Sequence, residues 1–157
     1  MENIEILKEL PLFRGLTYME FIQINKIIVR RSFTKGETII KEDEEGESLF
    51  IIKSGSVTVT KKNEEDVDEV VAELGPGDPF GEMALIDRFP RSATVTANEP
   101  SELLEIKKSQ FAELLSSHKE IDFKFSKAFN QVLCARLRET TIDLTHLRML
   151  LQREKKG

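Results

Sequence analysis

The spacing of the apolar residues changes twice along the chain, and this change most constrains the fold. Residues 29–108 alternate apolar and polar side chains in short runs, as in Val57-Thr58-Val59-Thr60, and a period of two indicates half-buried strands. Turns rich in glycine separate the runs at intervals of roughly 8–12 residues. Helical spacing occupies residues 1–28 and returns over 109–155. This order predicts a mainly β fold, a barrel or a sandwich, with flanking helices.

The first 28 residues predict two short helices rather than one. Pro11 and Gly15 interrupt the helical spacing of the apolar residues, and both residue types disfavour a helix interior. Thr17 and Glu20 have the spacing of a capping box, in which each side chain bonds the other residue's backbone N–H. We therefore expect the second helix to begin just after Thr17.

The last third predicts a short helix capped by Ser109 and then a long helix over about 118–152, a stretch without proline or glycine. A first apolar stripe, Phe125, Phe129 and Val132, is expected to dock on the barrel. A second one, the heptad stripe, has spacings of 4, 3, 4, 3 and 4 and consists of Leu133, Leu137, Thr140, Leu144, Leu147 and Leu151. These spacings are typical of a coiled coil. They predict a homodimer through this helix, and packing back onto the same domain is the alternative.

Composition limits the classes of function. The 157 residues suit a single domain with one core, here taken as 1–157. The net charge of −5 argues against binding to nucleic acid or to an anionic membrane. The lone Cys134, expected to be buried, excludes an internal disulfide. The acidic N-terminus is unlike a signal peptide, and no apolar stretch has the length of a membrane span. We expect a cytoplasmic protein.

The sequence does not favour an enzyme. The two histidines, His118 and His146, both lie in the C-terminal helical region, so we expect no metal site in the barrel. No nucleophile–base arrangement and no Gly-rich Walker loop is present. We expect a protein that acts by binding, with no catalytic residues.

The segment FGEMALIDRFPRSATV, residues 80–95, carries the main functional prediction. A turn beginning at Gly81 would present backbone N–H groups without a Cβ in the way. Arg91 adds a planar fork suited to two phosphate oxygens, with Ser92 beside it. Glu82 would repel a lone phosphate, but it can accept from a sugar hydroxyl next to one. The alternative is a surface ion pair between Glu82 and Arg91.

This segment resembles the phosphate-binding cassette of the cyclic nucleotide-binding domain family. The matching positions are Gly81, Glu82, Ala84, Leu85, Pro90, Arg91, Ala93, Thr94 and Val95. IIKSGSVTV and LGPGDPFGE resemble the family's strands and the turn before the cassette, so the likeness extends over essentially the whole chain. The resemblance implies a jelly-roll β-barrel (a double-stranded β-helix) over 29–108, with short N-terminal helices over 1–28 and C-terminal helices over 109–155, the last of them long.

The resemblance also implies roles for individual residues. Arg91 would bind the cyclic phosphate together with backbone amides near Ala84 and Ser92, and Glu82, next to Gly81, would accept from the ribose 2′-hydroxyl. Val59, Val71 and Met83 would line the pocket wall. The resulting prediction is a cyclic nucleotide sensor, and the alternative is a dimerising scaffold of the same fold that has lost its ligand.

Within the family, RLRETT at 136–141 is similar to the long helix of bacterial cAMP-responsive transcription regulators. The likeness implies that Thr140 and Thr141 contact adenine, one of them from the partner subunit, and that ligand binding repacks this helix. The likeness favours cAMP as the ligand. Family members that bind guanine often have a hydroxyl residue directly after the arginine, as Ser92 follows Arg91 here, so cGMP is the alternative ligand. The chain ends at LQREKKG, where those regulators continue into a helix-turn-helix domain, so we expect no DNA binding.

Overall fold

The computed structural model describes residues 2–86 and 91–157, in which eight strands form two antiparallel sheets. The strands are β1 (Ile28–Phe33), β2 (Thr38–Ile40), β3 (Ser48–Ser54), β4 (Val57–Lys62), β5 (Asp68–Leu74), β6 (Pro79–Phe80), β7 (Thr94–Ala97) and β8 (Ser101–Lys107). One sheet has the order β1-β8-β3-β6 and the other β2-β7-β4-β5. Successive strands such as β1 and β2 lie in different sheets, which confirms the predicted jelly-roll with flanking helices.

The N-terminal prediction of two helices is confirmed. Helix α1 (Glu2–Lys8) is followed by a 3₁₀ turn (Pro11–Phe13) and by helix α2 (Tyr18–Asn25). The Glu20 N–H donates to Thr17 Oγ1 at 3.3 Å, and the Thr17 N–H donates to Glu20 Oε1 at 3.0 Å. This reciprocal pair is the predicted capping box, and it places the start of α2 where the sequence indicated.

Two helices follow the barrel, α3 (Lys108–Ser117) and α4 (Lys119–Lys156). The prediction that Ser109 caps α3 is wrong, because the helix already begins at Lys108 and its N-cap position is Lys107. Helix α4 has 38 residues and extends about 57 Å. Among the described residues, no helix has both the length and the apolar character of a membrane span. The cytoplasmic location stays a prediction.

Two apolar clusters fill the described part of the molecule, and strands β3 and β8 contribute to both. The inner cluster lies between the sheets, where Phe50, Ile52 and Leu103 pack with residues of the second sheet. The outer cluster covers the other face, where Leu49 and Ile51 meet the helices. Successive side chains of a strand point to opposite faces, so a strand buried on both faces shows a continuous apolar run rather than alternation.

Helix α4 belongs to the outer cluster only over its first half. Phe125 packs against the rings of Phe13, Phe111 and Phe129 at centroid distances of 6.2, 4.7 and 5.7 Å. The predicted docking stripe therefore packs on the N-terminal turn and on α3, in the cluster to which β3 and β8 also contribute. Every residue from 136 to 157 is exposed. Cys134 is also exposed, so the prediction that it is buried is wrong, because it faces away from the docking stripe.

Candidate functional site

A cavity of about 410 Å³ lies between the inner face of the barrel and helix α4. Its lining comes from β2, β4, the segment around the second 3₁₀ turn (Glu82–Leu85), the segment from Arg91 into β7, and one residue of α4. The lining residues are Ile40, Val59, Phe80, Gly81, Glu82, Met83, Ala84, Arg91, Ser92, Ala93, Val95 and Arg136. Both ends of the 80–95 segment therefore reach one cavity, and Pro90 of the predicted motif lies outside the described residues.

The Arg91 side chain is oriented by backbone carbonyl groups. Its Nη1 donates to Gly81 O at 3.0 Å and its Nη2 donates to Ser48 O at 2.7 Å. The Arg91 backbone is also paired, since its N–H donates to Glu44 O at 2.7 Å. Burial lowers the pKa of the Arg91 guanidinium from its ordinary value, and the negative charge of Glu82 opposes this effect. Two of the five guanidinium N–H groups are used in this way, which leaves donors for a ligand.

Two glycines allow the backbone to approach this guanidinium. A Cβ on Gly81 would lie 2.6 Å from Arg91 Nη1, and Gly81 has a φ of +76°, which disfavours other residues. A Cβ on Gly46 would lie 2.6 Å from Arg91 Nε and 2.9 Å from the Ala84 Cβ. All three distances are shorter than real side-chain contacts, so a side chain at either glycine would displace the Arg91 guanidinium.

Glu82 is buried at the start of the second 3₁₀ turn and forms an ion pair with Arg136 of α4. The alternative of a direct Glu82–Arg91 ion pair is absent from the described part of the chain, because Arg91 bonds carbonyl groups instead. A buried carboxylate needs a partner to offset its loss of hydration. In this structure the partner comes from outside the barrel, and its own side chain is half exposed.

Most of the residues predicted for the site line this cavity: Val59, Gly81, Glu82, Met83, Ala84, Arg91 and Ser92. The expected short helical turn after Gly81 is present, but the Ala84 N–H donates within it to Gly81 O at 3.1 Å. That N–H is therefore engaged, and its contact with a phosphate stays a prediction. The Ser92 side of the cavity is open to solvent.

Three predicted residues are not brought to the cavity. Val71 lies on edge strand β5 and is 60% exposed. The β4–β5 register passes from Val59↔Ala72 to Thr60↔Val70, which skips Val71, so strict alternation does not give its orientation. Thr140 and Thr141 are exposed, and their hydroxyl groups donate to the carbonyl groups four residues earlier, both at 2.9 Å.

Five lining residues were missed by sequence reasoning: Ile40, Phe80, Ala93, Val95 and Arg136. The inward positions of β7 could have been taken from the alternation in Ala93-Thr94-Val95-Thr96. In β2 the adjacent Ile39 and Ile40 do not indicate which of them faces the cavity. Arg136 gave no comparable signal. It lies in the RLRETT segment, four residues before Thr140, but nothing in a charged helical stretch indicates which cation meets Glu82.

Comparison with known proteins agrees with this geometry. The family model of the cyclic nucleotide-binding domain matches residues 30–118. A cGMP-dependent protein kinase of Eimeria tenella is 37% identical over 123 residues, which are 78% of this chain and 12% of the kinase. The cyclic AMP receptor protein of Thermus thermophilus is 30% identical over 138 residues, 88% of this chain and 62% of that protein. The chain thus spans less than two thirds of either relative.

Solved structures show the same fold. The Thermus thermophilus catabolite activator protein superposes with a TM-score of 0.78 at 30% identity, covering 88% of this chain and 63% of the other. A cyclic nucleotide-binding domain from Methylobacillus flagellatus superposes with a TM-score of 0.76 at 27% identity, covering 88% and 78%. With the matched family model and the two ends of the 80–95 segment at one cavity, this chain belongs to the cyclic nucleotide-binding domain family.

Proposed function

We propose that this chain is a sensor module that binds a 3′,5′-cyclic nucleotide, cAMP in preference to cGMP, between the barrel and helix α4. The observation that carries the proposal is the presence of Arg91 and Glu82 at one cavity of about 410 Å³. A guanidinium offers paired donors to a phosphodiester, and a carboxylate offers acceptors to a sugar hydroxyl. The module acts by binding and not by catalysis.

The charges of the lining suit a monoanion. Arg91 and Arg136 are positive and Glu82 is negative, and these are the charged side chains of the described lining. The lining therefore carries a net charge of +1, from two positive charges and one negative. A cyclic phosphodiester has a single negative charge, whereas a terminal phosphate monoester carries up to two at neutral pH. We expect the cyclic ester to bind more tightly than the corresponding 5′-monophosphate.

Helix α4 is the element that transmits binding in this proposal. Arg136 is its only residue in the described lining, and it is paired with Glu82. A ribose hydroxyl that bonds Glu82 competes with Arg136, so an occupied cavity and an empty one hold α4 differently. A ligand shifts an equilibrium only through such a difference in contacts. The roles of Thr140 and Thr141 at the base require a second copy of the chain or a movement of α4.

The choice of nucleotide has support on both sides. Thr140 and Thr141, and the cyclic AMP receptor protein among the relatives, favour adenine. Ser92 in the lining, and the cGMP-dependent protein kinase among the relatives, favour guanine. Competition between cAMP and cGMP for the same protein would measure the preference directly, and a ratio in favour of cGMP would overturn our choice of cAMP.

The test of the binding site is Arg91→Ala. Loss of a charged, partly buried donor pair should weaken cAMP binding about 100-fold or more, at roughly 1.5–3 kcal/mol for each charged hydrogen bond. Isothermal titration calorimetry gives the affinity, and Arg138→Ala on the exposed side of α4 is the charge-matched control. An Arg91→Ala protein that folds and binds cAMP as tightly as the parent contradicts the assignment.

A further inference from the structure

The side chain of Glu105 is a buried carboxylate that the proposed site does not use. Glu105 lies on β8 and is only 5% exposed. It occupies the strand face that it shares with Leu103, which belongs to the apolar cluster between the sheets. An ionised side chain costs free energy at such a position unless hydrogen bonds offset its loss of hydration. The burial of this charged group therefore calls for a physical explanation.

Glu105 forms two short hydrogen bonds. Arg31 Nη1 of β1 donates to Glu105 Oε2 at 2.7 Å, and Ser48 Oγ of β3 donates to Glu105 Oε1 at 2.7 Å. The first contact offsets the charge of the carboxylate. The second connects the carboxylate to a residue that has another task, because the Ser48 carbonyl accepts the 2.7 Å hydrogen bond from Arg91 Nη2.

A continuous hydrogen-bonded chain thus runs Arg31–Glu105–Ser48–Arg91. Within this chain, Ser48 bonds Glu105 through its side-chain hydroxyl group and Arg91 through its backbone carbonyl group. Ser48 is the first residue of β3, and it pairs with Lys107 of β8. The Oγ–Glu105 bond restrains this strand end from the side, and Gly46 leaves room for the guanidinium two residues earlier.

We propose that Glu105 is a positioning residue, which acts through Ser48 to set the orientation of the Arg91 guanidinium in the cavity. The relevance of this orientation to ligand rests on the proposed function above, whereas the orientation itself can be measured without ligand. The alternative is that Glu105 and Arg31 only join β1 to β8 and β3, with no effect on Arg91.

The first measurement uses the protein without nucleotide. A guanidinium bonded to two carbonyl groups rotates slowly about its Cζ–Nη bonds, so we expect resolved Arg91 Nη signals in ¹⁵N nuclear magnetic resonance spectra, assigned with Arg91→Lys. Ser48→Ala removes the Oγ link but keeps the carbonyl, and Glu105→Gln removes the charge. Both substitutions should let the Arg91 guanidinium rotate faster, so that its separate Nη signals merge into an averaged one. Glu102→Gln is the control, because Glu102 lies on the same strand but pairs with Arg30 and Lys53.

The second measurement uses the two diastereomeric phosphorothioates of cAMP, in which sulfur replaces one or the other exocyclic phosphate oxygen. An oriented guanidinium distinguishes them, so the ratio of their dissociation constants reports orientation rather than overall stability. Ser48→Ala and Glu105→Gln should reduce this ratio about three- to tenfold, the effect of one hydrogen bond. Glu102→Gln should leave it within twofold.

The outcomes separate the two proposals. If the parent binds neither cAMP nor cGMP, the proposed function fails, and the Nη signals still decide the role of Glu105. Unchanged signals in folded Ser48→Ala and Glu105→Gln overturn the positioning role. An equal change in Glu102→Gln also overturns it, since the effect would then come from the strand as a whole. If Glu105→Gln does not fold, Ser48→Ala alone carries the decision.

Discussion

The two halves of helix α4 differ in what covers them. Up to Ala135, apolar residues such as Phe125 and Phe129 are buried in the outer cluster. From Arg136 onward every side chain is exposed, although leucines continue at coiled-coil spacing. The same regular helix is thus part of the domain core in one half and an exposed surface in the other. Arg136, at the boundary, is also the residue that contacts the cavity, so the division of α4 falls at the candidate site.

The largest effect is expected in the buried half. Phe125→Ala removes a ring that contacts three other aromatic rings, and it should lower the free energy of unfolding by about 3–5 kcal/mol. Phe123→Ala, two residues earlier, truncates a ring that is 67% exposed and should cost less than about 0.5 kcal/mol. Urea unfolding of both variants measures the difference, and similar losses would contradict the division of α4. Phe125→Leu serves if Phe125→Ala does not fold.

The exposed half should affect association and leave the fold of the single chain intact. We expect the parent to dimerise at micromolar concentration through the heptad stripe, and Leu147→Lys should shift it to monomer, a loss of about 2–5 kcal/mol for a buried leucine. Ile142→Lys is the control, because Ile142 is also an exposed apolar residue, 68% against 53% for Leu147, but lies opposite the stripe. Sedimentation equilibrium gives the masses. A monomeric parent, or equal effects of both variants, would contradict the dimer.

This comparison also shows what the sequence could predict. The apolar periods of two and 3.6 predicted the strands and the helices, because periodicity is a property of neighbouring residues. The 80–95 segment predicted both ends of the cavity for the same reason, since its residues are close in sequence. The pairing of β1 with β8 joins residues such as Ile28 and Ile106, and no local pattern specifies such a partner. The orientation of Val71 depends on a bulge, and the contact of Arg136 depends on where α4 crosses the barrel.

A smaller effect is expected at the ion pair that joins α4 to α2. Lys124 Nζ donates to Glu20 Oε1 at 2.5 Å. Burial raises the pKa of Glu20, but hydrogen bonds from Lys124 and Thr17 outweigh burial, so the net pKa is lower than its ordinary value of 4.5. A carboxyl group with a lowered pKa stabilises the fold above its unfolded pKa, and this contribution is lost as pH falls through the folded value.

Lys124→Met should therefore cost about 1 kcal/mol at pH 7, and this difference from the parent should shrink as pH falls below 4.5. Urea unfolding at pH 7 and at pH 3 measures it. Lys127→Met removes an exposed charge one turn later and is the control. If Lys124→Met loses the same free energy of unfolding at pH 7 and at pH 3, the ion pair with Glu20 is not the cause of the loss. The same conclusion follows if Lys127→Met loses as much as Lys124→Met.

The smallest effect is expected at the boundary, where it bears most directly on the proposed response of α4 to ligand. Arg136→Ala removes the contact between α4 and Glu82, and an ion pair with one half-exposed partner is worth about 0.5–1 kcal/mol. Without nucleotide, amide hydrogen exchange after residue 135 should become about two- to fivefold faster in this variant, as the opening free energy falls by that amount.

In the parent, cAMP should produce a similar change, because the ribose hydroxyl replaces Arg136 at Glu82. In the variant, cAMP should add nothing further, since the contact that it breaks is already gone. An undiminished response of α4 to cAMP in Arg136→Ala would show that the signal leaves the cavity by another route, and Arg138→Ala controls for loss of charge on the helix.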